Sequence, residues 1–249
     1  TLQTALALAV ATVPEGLPVV ATLALARGVL RLARRRARVV KLAAVEALGA
    51  TSVILCDKTG TLTENRMLVQ RIWTPSGRYL VTGDGYIPSG EVIPEPGSGP
   101  EQQQQRIAAQ PDEAELRRLA EVAAACNDAT LDRIPGGPDP GSWVATGDPT
   151  EVSLLALAGK VGVDRGALVR QWPRRTELAF DSARRRMSTV HLSGGWCWVA
   201  TKGALDALVP LLDPAERKTA RRAGATATRW AAEGYRVLAL AERELPVGE

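Results

Sequence analysis

Ser52-Val53-Ile54-Leu55-Cys56-Asp57-Lys58-Thr59-Gly60-Thr61-Leu62-Thr63 is the stretch from which the rest of the chain can be read. Ser52 to Leu55 is a short, β-branched apolar run and predicts a buried strand. A carboxylate at the C-terminal end of such a strand, followed by a polar turn with glycine, stands where open α/β sheets place their ligand sites. Asp57 can attack a phosphoryl group and form an acyl phosphate, splitting one hard transfer into two easier ones. Lys58 brings a positive charge beside an incoming phosphate. Thr59, Gly60 and Thr61 offer hydroxyls and close backbone N–H groups to phosphoryl oxygens. The plain alternative is a strand-to-helix turn in which Asp57 is only a cap.

The chain has 249 residues, enough for one or two domains with real cores. Its formal net charge of +4 is unevenly placed. Arg27, Arg31, Arg34, Arg35, Arg36, Arg38 and Lys41 form one cluster, and the remainder is nearly balanced. Aromatic residues are sparse and do not interleave with that cluster, so no nucleic-acid partner is expected. Cys56, Cys126 and Cys197 are too widely spaced for a disulfide framework or a zinc site. His191, the one histidine, lies in a strand-like run and is read as structural.

Residues 1–26 are almost wholly apolar, with Glu15 as the one charge. A span of that length can cross a bilayer, which takes about 20 apolar residues. It lacks the basic start and small-residue cleavage site of a signal peptide and opens abruptly at Thr1, so the sequence is expected to be excised from a longer one. Pro14-Glu15-Gly16-Leu17-Pro18 breaks helical hydrogen bonding in mid-span and frees backbone carbonyls, as in the broken helices that build ion sites. Glu15 is costly in lipid without a partner and is a functional candidate for that reason. A buried pair of soluble helices joined by a Pro-Gly turn is the alternative. The arginines that follow mark the cytoplasmic side. The helical spacing of Arg27, Arg31, Arg34, Arg35 and Arg38 predicts a helix leaving the membrane with a basic face.

Further along, Val39 to Ala50 reads as a short connector. Gly83-Asp84-Gly85 reads as a turn, and Pro88 to Gln105 as a Pro-, Gly- and Gln-rich surface loop. Asp112 opens a helix with Leu116, Leu119, Val122, Ala123 and Cys126 on one face. In Gly147-Asp148-Pro149-Thr150-Glu151, Asp148 can cap a second helix, with Pro149 at its first position and Glu151 three residues after the cap. Strands are predicted over 176–180, 187–192, 196–201 and 236–240, the middle two joined by a hairpin at Ser193-Gly194-Gly195. Helices are predicted near 204–212 and 214–233. Such an order suggests an α+β unit on an antiparallel sheet.

Asp57-Lys58-Thr59-Gly60-Thr61-Leu62-Thr63 resembles the phosphorylation-site signature of P-type ATPases, and PEGLP resembles the fourth transmembrane segment of their calcium-pump-like branch. Phosphatases of the haloacid-dehalogenase type usually carry a second Asp where this chain has Thr59, which cannot do acid/base work near neutral pH. The resemblance implies an α/β phosphorylation-domain half, haloacid-dehalogenase-like, with an inserted α+β nucleotide-binding domain on an antiparallel sheet and an N-terminal broken transmembrane helix. Residues 1–38 would be the fourth transmembrane segment and its cytoplasmic extension, and 39–71 the N-terminal part of the phosphorylation domain. Residues 72–243 would be the nucleotide-binding domain, with a mobile loop near 88–110, and 244–249 the start of the return.

The same resemblance supplies site residues. Asp57 would be transiently phosphorylated by ATP, with Lys58, Thr59 and Thr61 around it and Mg2+ held at Asp57 and Thr59. Glu151 would lie near the adenine, Phe180 would stack on it, and Lys202 would line its pocket. Arg236, and less directly Arg185, would contact phosphate or ribose oxygens. Ser182 and Arg185 stand where the family has an arginine and a lysine. Glu15 would bind the transported cation, Ca2+ on its hard oxygen donors, with Mn2+ or a monovalent ion as alternatives. The expected setting is a bacterial plasma membrane, both cytoplasmic parts working with the remaining domains of the polypeptide. GDGxND and the actuator TGE loop are absent, so the chain alone is expected to bind ATP without turnover. A nucleotide-binding module without transport chemistry is the alternative.

Overall fold

Gly194 and Gly195 both adopt positive φ, 56° and 81°. A two-residue hairpin turn whose twist matches its strands demands that backbone. They join β7 (Arg186–Ser193) to β8 (Trp196–Gly203), in register from Ser193 opposite Trp196 to Arg186 opposite Gly203. β6 (Arg174–Asp181) and β9 (Ala239–Pro246) complete an antiparallel sheet of order β6-β7-β8-β9. The structure, a computed structural model, describes residue 3 and residues 16–96, 112–134 and 142–248. Glu15 and most of the loop predicted near 88–110 therefore lie outside the described residues.

The chain divides into two units, Thr1–Leu62 and Thr63–Glu249. The first holds α1 (Leu17–Arg34) and α2 (Ala43–Gly49), and a Cβ at Gly28 of α1 would lie 3.4 Å from Val45 Cγ1 of α2. Among the described residues no helix is long and apolar enough to cross a membrane. α1 itself carries Arg27, Arg31 and Arg34 along its second half. The basic helix expected over 27–38 stops at Arg34. Ala37 N–H returns to the Leu32 carbonyl and Arg36 N–H to that of Ala33, while Arg36 turns left-handed at φ 63°. This is the Schellman ending, with an arginine where glycine is usual.

The strand expected over 52–55 does not form. No partner strand is described in this unit, and a β run without a neighbour leaves its N–H and C=O groups unpaired. Val53, Ile54 and Leu55 are consequently 70%, 83% and 94% exposed.

In the second unit, β1 (Arg71–Thr74), β2 (Gly77–Val81) and β3 (Val92–Pro94) form a small antiparallel sheet. β4 (Thr130–Arg133) and β5 (Trp143–Thr146) form a two-stranded arm. Two helices pack on each other and carry most of the core. α3 (Glu113–Ala125) is capped by Asp112, whose carboxylate accepts Ala114 and Glu115 N–H. α4 (Pro149–Lys160) buries seven consecutive residues, Val152 to Ala158. Alanines on both helices let their backbones approach, and Trp198 and Met187 from the sheet fill the space that remains.

α5 (Arg165–Gln171) leads into β6. The two late helices are shorter than expected. They become α6 (Leu205–Leu208) and α7 (Arg217–Ala232), each beside a 3-10 turn containing proline, Val209–Leu211 and Pro214–Glu216. β9 begins three residues later than the run at Arg236 suggests. Its register puts Ala239 opposite Gly203, where β8 ends, so residues before it have nothing to pair with.

His191 is a core residue. Its Nδ1 donates to the Trp172 carbonyl at 3.0 Å, its Nε2 meets Thr189 Oγ1 at 2.9 Å, and its ring lies 5.3 Å from that of Trp198. Burial holds its pKa below the ordinary 6.5, helped by the Arg174 charge and opposed by the bond to Trp172. Between the folded pKa and 6.5 the unfolded chain therefore binds more protons. Stability is full above about pH 6.5 and falls as pH drops toward the folded value. Urea midpoints of the wild type should decline over that interval while those of His191→Gln stay flatter. Parallel curves would refute the assignment.

Candidate nucleotide and phosphoryl sites

The Asp148 carboxylate caps α4 at 2.7 Å from Thr150 N and 3.4 Å from Glu151 N. Burial would raise its pKa, but the hydrogen bonds from Thr150 and Glu151 and the charge of Arg236 hold it below the ordinary value. Gly147 before it has φ 117°, and a Cβ there would sit 2.8 Å from Ala129 Cα. Glycine is required on both counts, and it lets the start of α4 lie against the turn 127–129.

Glu151 follows in the first turn of α4. A capping box would send its side chain back to the cap N–H. It goes elsewhere. Its Oε2 accepts Asp128 N at 2.9 Å and Ala129 N at 3.0 Å, and its Oε1 meets Lys202 Nζ at 2.5 Å. Lys202 also donates to the Cys126 carbonyl at 2.7 Å. The two charged side chains are only 10% and 15% exposed for Lys202 and Glu151. Neither is solvated surface charge. A cation and an anion are held at the end of the sheet with their hydrogen-bonding capacity largely, but not wholly, used.

Phe180 is brought to the same end by a bulge. Leu178 pairs with Ser188 but Asp181 with Arg186, so three steps on β6 match two on β7. Met187, the residue between, pairs with Lys202 on β8. Phe180 and Lys202 are thus two strand spacings apart, about 10 Å. Phe180 is 64% exposed, so its ring is open to solvent instead of filling the core. The turn after it is ordered by Asp181, which accepts Ala183 N at 2.9 Å and Arg184 N at 2.8 Å. These bonds, Arg184 first, hold the Asp181 carboxyl below its usual range.

Arg185, left-handed at φ 51°, ends that turn. Its guanidinium is paired with Asp206 at 2.6 Å, in a half-exposed ion pair of the kind an anionic ligand can replace. Arg236 is exposed and makes no ion pair among the described residues, though its charge reaches Asp148. Gly203, after Lys202, was not marked by any pattern of spacing. A Cβ there would lie 2.5 Å from the Arg185 carbonyl and 2.8 Å from Arg186 Cα, so glycine lets the two strand ends close together. Asn127, fully buried, is another such residue. It joins the Ala123 and Glu151 carbonyls through Nδ2 and takes Ala129 N–H on Oδ1. The polar pair Asn127-Asp128 after an apolar helix was the available signal.

In the first unit, Asp57 Oδ1 accepts Thr59 N–H at 3.2 Å, an Asx turn. Leu62 N–H closes on the Lys58 carbonyl at 3.0 Å, and Gly60 takes φ 76°. Asp57, Lys58, Thr59 and Thr61 are all exposed. No helix follows this turn, so Asp57 is not a helix cap.

An antiparallel sheet backed by two helices, with a buried acid–base pair and an open aromatic at one end, makes up an α/β domain, and the family match places it with nucleotide-binding domains. Residues 115–249 match the family described as "P-type ATPase, cytoplasmic domain N", and the chain belongs to the P-type ATPases. It is 40% identical over 250 residues to the probable cation-transporting ATPase F of Mycobacterium tuberculosis, covering 96% of this chain and 26% of that protein. It is 38% identical over 248 residues to the cation-transporting ATPase pma1 of Synechocystis, covering 97% and 26%. It is 33% identical over 254 residues to the calcium-transporting ATPase of Bacillus subtilis, covering 97% and 27%. The chain thus spans about a quarter of the length of these relatives.

Proposed function

We propose that this chain is the part of a cation-transporting ATPase that accepts the phosphoryl group and holds the nucleotide. A carboxylate oxygen of Asp57 attacks the γ-phosphorus of ATP, the bond from that phosphorus to the bridging oxygen breaks, and ADP leaves with the bridging oxygen. Water later cleaves the acyl phosphate and returns the carboxylate and inorganic phosphate. The observation that carries this reading is Asp57 itself. It is an exposed carboxylate, already oriented by Thr59 N–H, in a chain that also contains the family's nucleotide domain.

Lys58 and the Thr59 and Thr61 hydroxyls balance phosphoryl charge in this scheme. Thr59 supplies no acid or base, so the acyl phosphate lasts long enough to drive a conformational step. Mg2+ typically takes one or two carboxylates plus substrate phosphates. Asp57 and Thr59 are the donors this chain offers, and the ion would neutralise phosphate charge there. At the other site, Phe180 stacks on adenine, Glu151 and Lys202 flank it, and Arg185 and Arg236 reach phosphate or ribose oxygens.

Ca2+ is the proposed cargo, with Mn2+ or a monovalent cation as the second choice. Oxygen chemistry at Glu15 and the name of the Bacillus subtilis relative support it. The protein would sit in the membrane, with both sites in the cytoplasm. The test is transfer of labelled γ-phosphate to the full-length protein in membranes, with Ca2+, Mn2+, Na+ or K+ in turn. A hydroxylamine-sensitive label should appear with one cation and vanish in Asp57→Asn. ATP binding without label under any ion would leave a nucleotide-binding module in place of a pump.

A further inference from the structure

Arg165 opens α5 directly after its cap, Asp164, a position from which an arginine would normally reach into solvent. Here it turns inward. Nη1 donates to the Ala129 carbonyl at 2.5 Å and Nη2 to the Asn127 carbonyl at 2.9 Å. Among the described residues no carboxylate lies within ion-pair distance of it, so the direct bonds of this half-buried guanidinium go to two carbonyls, while Asp128, Asp132 and Glu151 act on its charge from farther away. Burying a charge on such terms costs free energy. What it gains is geometric. The Asn127–Asp128 peptide has its C=O held by Arg165 and its N–H held by Glu151. Carbonyl and N–H of one trans peptide point in opposite directions. Arg165 therefore faces the turn from one side and Glu151 from the other, and Glu151 holds Lys202.

We infer that Arg165 is a positioning residue for the nucleotide site, fixing the turn 127–129 so that its N–H groups aim the Glu151 carboxylate and, through it, Lys202. This rests on the reading of Glu151 and Lys202 as nucleotide-binding residues. A planar fork that grips two carbonyls at once is specific to arginine, so lysine is an incomplete substitute. Burial as the larger effect, with the Arg174 charge added, lowers the Arg165 pKa, and Asp128, Asp132 and Glu151 oppose that. The guanidinium stays charged all the same.

The experiment is a double-mutant cycle on ATP affinity, by titration calorimetry, with thermal midpoints recorded in parallel. R165M is expected to weaken ATP about tenfold and R165K about threefold, the range of a charge-assisted hydrogen-bond pair. In the K202M background, R165M should add clearly less than it costs alone, because the part of its effect that passes through Lys202 is already lost. A role in stability alone would lower the thermal midpoint and leave the affinity of the folded protein unchanged, which would overturn the inference. So would losses that multiply in the double mutant. Should R165M fail to fold, R165K in the same cycle carries the test, with coupling expected and independence overturning it. If K202M binds ATP like the wild type, the nucleotide reading itself fails and takes this inference with it. If K202M weakens binding and R165M does not, only the positioning role falls.

Discussion

Replacing Glu151 by alanine is expected to destabilise the second unit by about 3–5 kcal/mol, because it strands a buried charge. Lys202 would keep only the Cys126 carbonyl at 2.7 Å. The N–H groups of Asp128 and Ala129 would lose the acceptor they share, although Ala129 keeps Asn127 Oδ1 at 2.9 Å. Glu151→Gln should cost less, since its amide oxygen still serves the two N–H groups, but its NH2 would then face the ammonium, donor against donor. Lys202→Met should be milder again. The carboxylate it leaves behind keeps two backbone donors. Urea midpoints across the three variants check the order Ala, Gln, Met. The intact pair contributes far less than its loss removes, because desolvation offsets most of the attraction. A double variant, Glu151→Leu with Lys202→Met, should therefore regain much of what Glu151→Ala loses. A cost below about 1 kcal/mol for Glu151→Ala would mean that the pair behaves as an exposed one.

What could be read in advance was local. Asp148 before Pro149 announces a helix start, and the Gly194-Gly195 turn needs only the conformations its own two residues allow. β6, β7 and β8 were legible from β-branched and aromatic runs, to within a few residues. What could not be read depends on partners distant in sequence. The role of Glu151 as a capping-box residue is displaced by donors 22 and 23 residues away and a lysine 51 away. Lys202 alone looks like a solvated charge, and only the fold shows it buried. Arg165 carries no signal, since Asp164-Arg165 is an ordinary exposed helix opening until the turn 127–129 is laid across it. The run Ser52 to Leu55 has strand propensity, yet propensity is a statement about fitting a pleated surface that must be provided from elsewhere. Asp57 remains legible without that strand, because the Asx turn to Thr59 is made by the motif's own backbone.

Trp198→Ala is expected to cost about 3–5 kcal/mol, the range for deleting a large aromatic from a core. Trp198 is fully buried, with its ring 5.6 Å from Trp172 and 5.3 Å from His191. Above it lies Arg118, its guanidinium carbon 5.2 Å from the ring centroid, and Trp198 Nε1 donates to Glu242 at 2.8 Å. Arg118 in turn bonds Glu242 and Glu244 of β9. Truncation thus opens a cavity between sheet and helices and also removes the flat face that keeps Arg118 over its two carboxylates. Trp198→Phe keeps most of the apolar contact and loses the N–H bond, so about 1–2 kcal/mol is expected. The pair of variants separates stability from ligand binding. Trp198 and Lys202 share β8 and its helix-facing side, four residues apart, and a folded Trp198→Phe protein keeps that strand in register. Its urea midpoint should fall while its ATP affinity stays that of the wild type. An affinity loss as large as that of K202M in a folded Trp198→Phe protein would show that the strand's alignment, and not the local bond network at Glu151, sets the reach of Lys202.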